Sequence, residues 1–336
     1  MNYLRKILFP FALIYGLITS LRNFLFDKNI LKSHSFDLPV IAVGNLSVGG
    51  TGKTPQIEYL IRLLSDKYRV ATLSRGYKRK SEGFVLADSN SNAEILGDEP
   101  FQYFQKFPNI QVAVDANRSN GIEQLLNIAP KPEIILLDDA YQHRKVKADL
   151  YILLTAYNDL YTDDYLLPVG NLRESRSGAH RAKIVIVTKC PPLLSILERT
   201  KIKKKLNLQP DQQLFFTSVN YDEFVFSANS KIAVSEIKKN EKVLIAGIAK
   251  PEPFFDYLKN TNDLVMKFPD HHHFSPNDIA EIRNKAQNKP IITTEKDYVR
   301  LNGLLPKEQL FYLPIKSSFI ADRELFDEYI INHVVR

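Results

Sequence analysis

The sequence predicts an α/β fold, with a mostly parallel sheet covered by helices on both faces and a second, smaller α/β/α unit joined to it by an extended β linker. Three observations carry this prediction. The stretch VIAVGNLSVGGTGKT over 40–54 runs from a short β-branched segment into a glycine-rich turn with a helical pattern behind it. Apolar segments at 70–73, 112–114, 134–137, 149–154 and 183–188 alternate with helix-period segments, as parallel strands with crossover helices require. After short alternating segments between 215 and 234, the same pattern restarts at Lys242-Val243-Leu244-Ile245-Ala246-Gly247.

The chain has 336 residues, enough for two cores. Lys+Arg 45 against Asp+Glu 38 gives +7, a mild excess that suits anionic substrates, nucleotides or an anionic membrane face and does not by itself point to nucleic acid. The one cysteine, Cys190, excludes an intramolecular disulfide and fits a reducing compartment. In the first thirty residues, Arg5 and Lys6 precede an apolar run from Ile7 to Leu21 that Arg22 closes. No small-residue cleavage site follows, and apolar residues resume at Phe24, Leu25 and Phe26. As a helix the run spans about 22 Å, short of the roughly 30 Å hydrocarbon core. Residues 1–30 therefore read as an amphipathic segment lying on an anionic membrane, with a helix packed on the protein's own core as the competing reading.

The turn after the first strand is P-loop-type. Its glycines let backbone N–H groups converge on phosphate oxygens, Lys53 brings a point charge, and the Thr54 hydroxyl suits Mg²⁺. The cradle comprises Ser47, Val48, Gly49, Gly50, Thr51, Gly52, Lys53 and Thr54, with Ser47 where the usual pattern has glycine. Pro55 suits the first turn of a helix through Tyr68. Strand 70–73 leads into Arg75-Gly76-Tyr77-Lys78-Arg79-Lys80, either a solvated turn or, at a strand's carboxyl end, a substrate-phosphate site. Gly97-Asp98-Glu99-Pro100 opens a helix, where the carboxylates could simply cap. The apolar strand at 134–137 delivers Asp138 and Asp139 at its tip, as a Walker-B-type Mg²⁺ site needs. Arg173, Glu174 and Arg176 lie on a Pro/Gly/Asn loop whose charges suit an anionic substrate.

In the second unit, helices are expected near 253–258 and 276–286, strands near 264–268, 290–294 and 310–313, and a closing helix over 321–335. The loop Phe268-Pro269-Asp270-His271-His272-His273-Phe274 invites a metal site, but consecutive histidines face one ion poorly, so an Asp/His proton-transfer pair or a plain surface loop fits better. The division that follows is 1–30, a phosphate-loop core at 31–220, a smaller domain with linker strands at 221–315, and a C-terminal helix at 316–336.

SVGGTGKTP at 47–55, GDEP at 97–100, DDAYQH at 138–143, NLRE at 171–174, DHHHF at 270–274 and TTEKD at 293–297 together resemble the tetraacyldisaccharide 4'-kinase (lipid A 4'-kinase) family, in order along nearly the whole chain. Ala140 and Tyr141 depart from the family's usual DDGFQH without removing a polar group. The resemblance implies two α/β/α domains joined by a two-stranded linker. It also implies transfer of the ATP γ-phosphate to the 4'-hydroxyl of a tetraacylated glucosamine disaccharide 1-phosphate, at the cytoplasmic face of the bacterial inner membrane. It further implies that Lys53 bridges the β- and γ-phosphates and that Thr54, Glu99 and Asp139 hold Mg²⁺. Asp98 with His271 would deprotonate or orient the attacking hydroxyl, with Asp138 the second candidate for the base. Arg75, Lys78, Arg173 or Arg176 would clamp the 1-phosphate. The turn also suits GTP-dependent maturation factors, but their N-K-x-D motif is missing at both Val187-Thr188-Lys189-Cys190-Pro191 and Thr294-Glu295-Lys296-Asp297. A noncatalytic nucleotide-gated scaffold would have no need of Asp98 and His271.

Overall fold

The structure, a computed structural model, describes Arg5 and residues 7–335; Lys6 of the expected basic pair lies outside the described residues. Helix α1 (Phe9–Asp27) starts with a proline in its first turn, where the missing N–H costs no intrahelical bond. It is longer than the apolar run suggested, at 19 residues or about 28 Å, and could cross a membrane by length and composition alone. It is nonetheless fastened sideways to the protein. Ala12, Gly16 and Phe26 are buried, the Tyr15 hydroxyl donates to the Arg173 carbonyl at 2.7 Å, and Arg144 pairs with Asp27 at 2.7 Å. The other face leaves Phe11, Leu13, Leu17, Ile18, Leu21 and Phe24 exposed.

The first sheet has nine strands in the order β15-β8-β7-β6-β1-β5-β2-β4-β3. The seven from β8 to β4 run parallel: β1 (Val40–Asn45), β2 (Val70–Ser74), β4 (Gln111–Val114), β5 (Ile134–Asp138), β6 (Leu150–Ala156), β7 (Ile184–Thr188) and β8 (Gln213–Tyr221). Short β3 (Val85–Leu86) and β15 (Ile315–Phe319) close the edges antiparallel. β1 is central, flanked by β5 and β6, and the chain leaves it toward β2 on one side and reaches β6 on the other. That reversal opens a crevice at the strands' carboxyl ends, where doubly wound sheets bind ligands. Helices α2 (Lys53–Leu64), α4 (Asp98–Lys106) and α5 (Arg118–Leu126) cover the sheet, with the small α3 (Ala93–Leu96) before α4. Ile57, Leu60, Ile61 and Leu64 of α2 present one apolar stripe to Ile41, Val43 and Leu136.

Two expectations change here. The segment near 215–234 is not simply a linker, because β8 is a full member of the large sheet, and basic α6 (Ile196–Leu206) packs Ile202 and Leu206 beside it. Nor is 316–336 a separate appendage. β15 returns to pair with β8 from Ile315↔Tyr221 to Phe319↔Thr217, and α11 (Arg323–Val334) puts Phe326, Ile330 and Val334 into the core of the first sheet. Ser317 and Ser318 break the apolar alternation that would have marked β15, and its pairing is purely long-range.

The second sheet has six strands in the order β10-β9-β14-β13-β11-β12. β11 (Val243–Ala246), β12 (Leu264–Lys267), β13 (Ile291–Thr294) and β14 (Leu310–Leu313) are parallel, while β9 (Phe224–Phe226) and β10 (Lys231–Ala233) form an antiparallel edge. α7 (Val234–Ile237), α8 (Glu252–Leu258), α9 (Pro276–Ala286) and α10 (Glu295–Leu301) complete the unit. The chain crosses between the sheets twice, at 221–224 and 313–315, and the Asp222 N–H donates to the Pro314 carbonyl at 2.9 Å. Beside these crossings Lys106 of α4 is shared by two buried carboxylates, Glu58 of α2 at 2.7 Å and Glu295 of α10 at 2.5 Å.

If α11 belongs to the first core, Phe326→Ala should cost about 3–5 kcal/mol in the first unit's unfolding transition in urea. The ring is fully buried against Phe215 and Phe319, at centroid distances of 5.2 and 4.6 Å. A loss below about 1 kcal/mol would instead mark the helix as an appendage.

Candidate active site

Asn45, the last residue of β1, organises the turn from within. Its amide donates to the Ser47 carbonyl at 2.7 Å, and its Oδ1 accepts from Lys53 Nζ at 3.3 Å. Gly52 has φ 82°, left-handed backbone that a side chain resists, and caps α2 so that the helix's first N–H groups face the turn. Thr188 at the end of β7 ties the turn down by donating to the Thr51 carbonyl at 2.7 Å, and Lys189 Nζ donates to the Gly50 carbonyl at 2.6 Å. Ser47 bridges to Leu172 and the Val48 N–H donates to the Asn171 carbonyl at 2.7 Å, so this side of the turn is pinned to the 171–173 loop. Gly49 has φ 126° and open space around it, and Thr54 is half-buried on the first turn of α2.

At the tip of β5 two neighbouring carboxylates part company. Val43 is paired with Asp138, which sets that residue against the turn. Asp139 then adopts φ 47° and swings toward Lys53 at 3.6 Å, and Arg173 Nη1 reaches both its oxygens at 3.0 and 3.1 Å. Burial opposes ionisation of Asp139, but Lys53 and then Arg173 outweigh it and hold the carboxyl below its usual range. Asp138 is buried, and desolvation with the Asp139 charge pushes it up to about 6. The Tyr103 hydroxyl donates to its Oδ2 at 3.2 Å, while Oδ1 and the buried Thr51 hydroxyl have no hydrogen-bond partner.

Those orphaned oxygens bear on Mg²⁺, a hard cation that takes one or two protein oxygens and completes its shell with water and phosphate. Asp138 Oδ1 is the free oxygen that suits that demand, next to Asp139, which Lys53 and Arg173 hold, and with Thr54 on the first turn of α2. Glu99 stands farther along α4's first turn, with Lys296 Nζ at 3.6 Å. Among the described residues no three His, Cys, Asp or Glu side chains converge, as the histidine loop illustrates. His272 turns to Asp278 at 3.0 Å and stacks on Phe268, while His271 reaches Asp98 of the first unit.

Asp98 and His271 lie 173 positions apart and meet at 3.2 Å, Oδ2 to Nδ1. Two residues of α10 frame the pair, and sequence reading missed both roles. Lys296 Nζ is 2.9 Å from His271 Nε2. Arg300 donates through Nε to Asp98 Oδ1 at 3.1 Å and through Nη2 to Oδ2. Their spacing of four on a helix was the available signal. Burial would raise the Asp98 carboxyl, but the Arg300 hydrogen bonds and charge, then Lys296 and His271, hold it below its usual range. α4 keeps this pair near the turn, since Tyr103 reaches Asp138 and Lys106 reaches Glu58 from the same helix.

The expected substrate-facing residues divide. Arg75 and Lys78 are exposed after β2. Arg173 is occupied by Asp139, and Arg176 donates to the Asp164 carbonyl at 2.8 Å. Glu174 departs from the expectation of a substrate-facing group. It is buried and accepts from Arg181 at 2.8 Å, Gln142 at 2.9 Å and Asn23 at 2.7 Å, so it is a fastening for α1 rather than a group open to substrate. Arg118, also missed, is buried and donates to the Asp138 carbonyl at 3.3 Å. A groove of about 350 Å³ runs between α1 and the 164–176 loop, lined by Phe9, Leu13, Tyr165, Leu166, Val169 and Arg176 among others.

A glycine-rich turn at the head of a helix, with acidic side chains at the neighbouring strand tip, defines a phosphate-loop phosphotransferase. Residues 4–335 match the family model described as tetraacyldisaccharide-1-P 4'-kinase (LpxK). The chain belongs to that family. It is 69% identical over 334 residues to the tetraacyldisaccharide 4'-kinase of Flavobacterium johnsoniae, covering 99% of this chain and 98% of the relative. It is 48% identical to that of Bacteroides thetaiotaomicron, covering 98% and 93%. Among solved structures it resembles the "apo" form of LpxK from Aquifex aeolicus in complex with ATP, with a TM-score of 0.80, 32% identity and coverage of 98% and 99%.

Asp138 yields a pH prediction. Its folded pKa lies above its unfolded one, so the folded state binds more protons between about pH 4 and pH 6, and stability is lost as pH rises through that window. Asp138→Asn should therefore raise the melting temperature of ligand-free protein at about pH 7.5 relative to about pH 4.5, by the equivalent of about 1–3 kcal/mol. An unchanged difference between those two pH values would contradict the assignment.

Proposed function

We propose that this chain transfers the γ-phosphoryl group of ATP to the 4'-hydroxyl of a tetraacylated glucosamine disaccharide 1-phosphate, a step of lipid A biosynthesis. Family membership over the full length supports the reaction. The observation that carries the assignment of roles is the 3.2 Å approach of Asp98 to His271, which the two units build together near the phosphate turn.

The turn's N–H groups and Lys53 bind the β- and γ-phosphates. When bound, Mg²⁺ supplies charge neutralisation on the phosphate oxygens, and Thr54 with Asp139 would hold it, with Glu99 reaching through water. Asp98 receives the acceptor's proton, and His271 orients it. An aspartate held below its ordinary pKa is a weak base, which suits phosphoryl transfer through a loose transition state whose main demand is positioning. Asp138, buried at the end of β5 with the Tyr103 hydroxyl on its Oδ2, is the second candidate. We assign the substrate's 1-phosphate first to Arg75 and Lys78, because Arg173 and Arg176 are engaged elsewhere.

The acceptor's acyl chains belong in a bilayer, and the exposed face of α1 gives the enzyme a way to reach them. Its apolar side chains suit the interfacial region, and its polar fastenings keep the helix against the domain, so we read it as lying on the cytoplasmic face of the inner membrane. The adjacent groove is suited to an acyl chain.

With labelled ATP and the acylated disaccharide, label should appear in extracted lipid. Asp98→Ala should lower kcat about 10²–10⁴-fold while leaving the KM for ATP nearly unchanged. Near-normal turnover would remove Asp98 from the role. Replacing Leu17 and Leu21 by Gln should raise the KM for lipid in mixed micelles and leave that for ATP unchanged. An unchanged lipid KM and membrane partitioning would count against interfacial docking.

A further inference from the structure

We propose that Arg300 is the positioning residue for the acceptor-activating pair, gripping Asp98 beside His271 so that Asp98 Oδ1 is the oxygen left to receive the hydroxyl proton. The inference rests on the reading of Asp98 as the proton acceptor.

Arg300 belongs to the second unit and acts on the first. It is almost fully covered, with its side chain 8% exposed. On its own unit it is anchored at Nη1, which donates to the His272 carbonyl at 3.4 Å and lies 3.7 Å from Asp297. Asp297 is itself rigid: it is buried, accepts from the Gly247 N–H at 2.9 Å and from the Thr294 hydroxyl at 2.7 Å, and so gives the guanidinium a fixed base. The remaining edge of the fork points across the junction. Nε and Nη2 take one Asp98 oxygen each, and Nη2 also lies 3.1 Å from His271 Nδ1.

A carboxylate turns easily about its terminal torsion, which has broad wells. A two-point grip by a planar fork fixes that plane, whereas an ammonium, a point charge, would not. The grip also distinguishes the two oxygens. Oδ2 already faces both Arg300 and His271, while Oδ1 has Arg300 Nε alone and keeps a lone pair for a hydroxyl proton. As the acceptor oxygen bonds to phosphorus, its proton passes to Oδ1 and ADP leaves with the electrons of the broken O–P bond. Because α10 carries the guanidinium, Asp98 is oriented only while the second unit is seated against the first.

The test is steady-state kinetics of full-length Arg300→Ala with ATP and the acylated disaccharide, with and without added guanidinium. Turnover should fall on the order of 10²-fold, with both KM values within about twofold of the parent. Guanidinium should restore turnover at least about tenfold, while equal NaCl or urea should not. Turnover within about threefold of the parent, or a loss that guanidinium leaves untouched, overturns the proposal. Should the alanine variant fail to fold, Arg300→Lys carries the test: it should fold, keep both KM values and lose turnover, and parental kcat in that variant overturns the proposal. Asp98→Asn is measured in parallel. If it turns over like the parent, the reading of Asp98 as proton acceptor fails. If Asp98→Asn is slow and Arg300→Ala is not, only the positioning role fails.

Discussion

The contact between helices α4 and α10 is the constraint on which the site depends. α4 starts with Asp98 and ends with Lys106, and α10 offers Arg300 to the first and Glu295 to the second. Two ion pairs eight residues apart on one helix therefore dock the second sheet on the first, and both are largely withdrawn from water. Glu295 shares Lys106 with Glu58, a buried carboxylate on the helix that begins at the phosphate turn. Removing one partner of such a cluster leaves a buried charge uncompensated, which is far costlier than the net worth of the intact group. Docking of the second unit is thus coupled to the helix that follows the glycine turn, and the Asp98–His271 pair forms at the far end of the same contact.

Charge is distributed along the crevice by local geometry. Asp138 and Asp139 are sequence neighbours with opposite fates, because the strand buries the first and a left-handed turn carries the second to Lys53 and Arg173. Asp98 is ionised for a third reason, a bidentate arginine from another sheet. The three aspartates thus occupy three different environments within one crevice.

What was legible in the sequence was local. The turn at 47–54 announced itself by glycines whose positive φ no other residue adopts easily, and β5 by an apolar run ending in two acids. The parallel architecture followed from alternation of strand and helix patterns. What escaped depends on partners far along the chain. β15 carries two serines and is a strand only because β8 accepts it, and α11 was set apart because nothing local reveals that Phe326 meets Phe215. Glu174 sits beside two arginines in a loop that suggests substrate, yet α1 and Gln142 enclose it. Arg300 and Lys296 carried only a spacing of four, which many solvated helices share.

In the proposed reaction Asp98 and His271, contributed by different units, act as a single group. Residues that act as a unit are strongly non-additive when removed. The direct measurement is kcat for Asp98→Ala, His271→Ala and the double variant under one saturating condition. The double variant should be no slower than the slower single variant. If the two losses multiply instead, the residues work independently, and the site is not the joint construction described here.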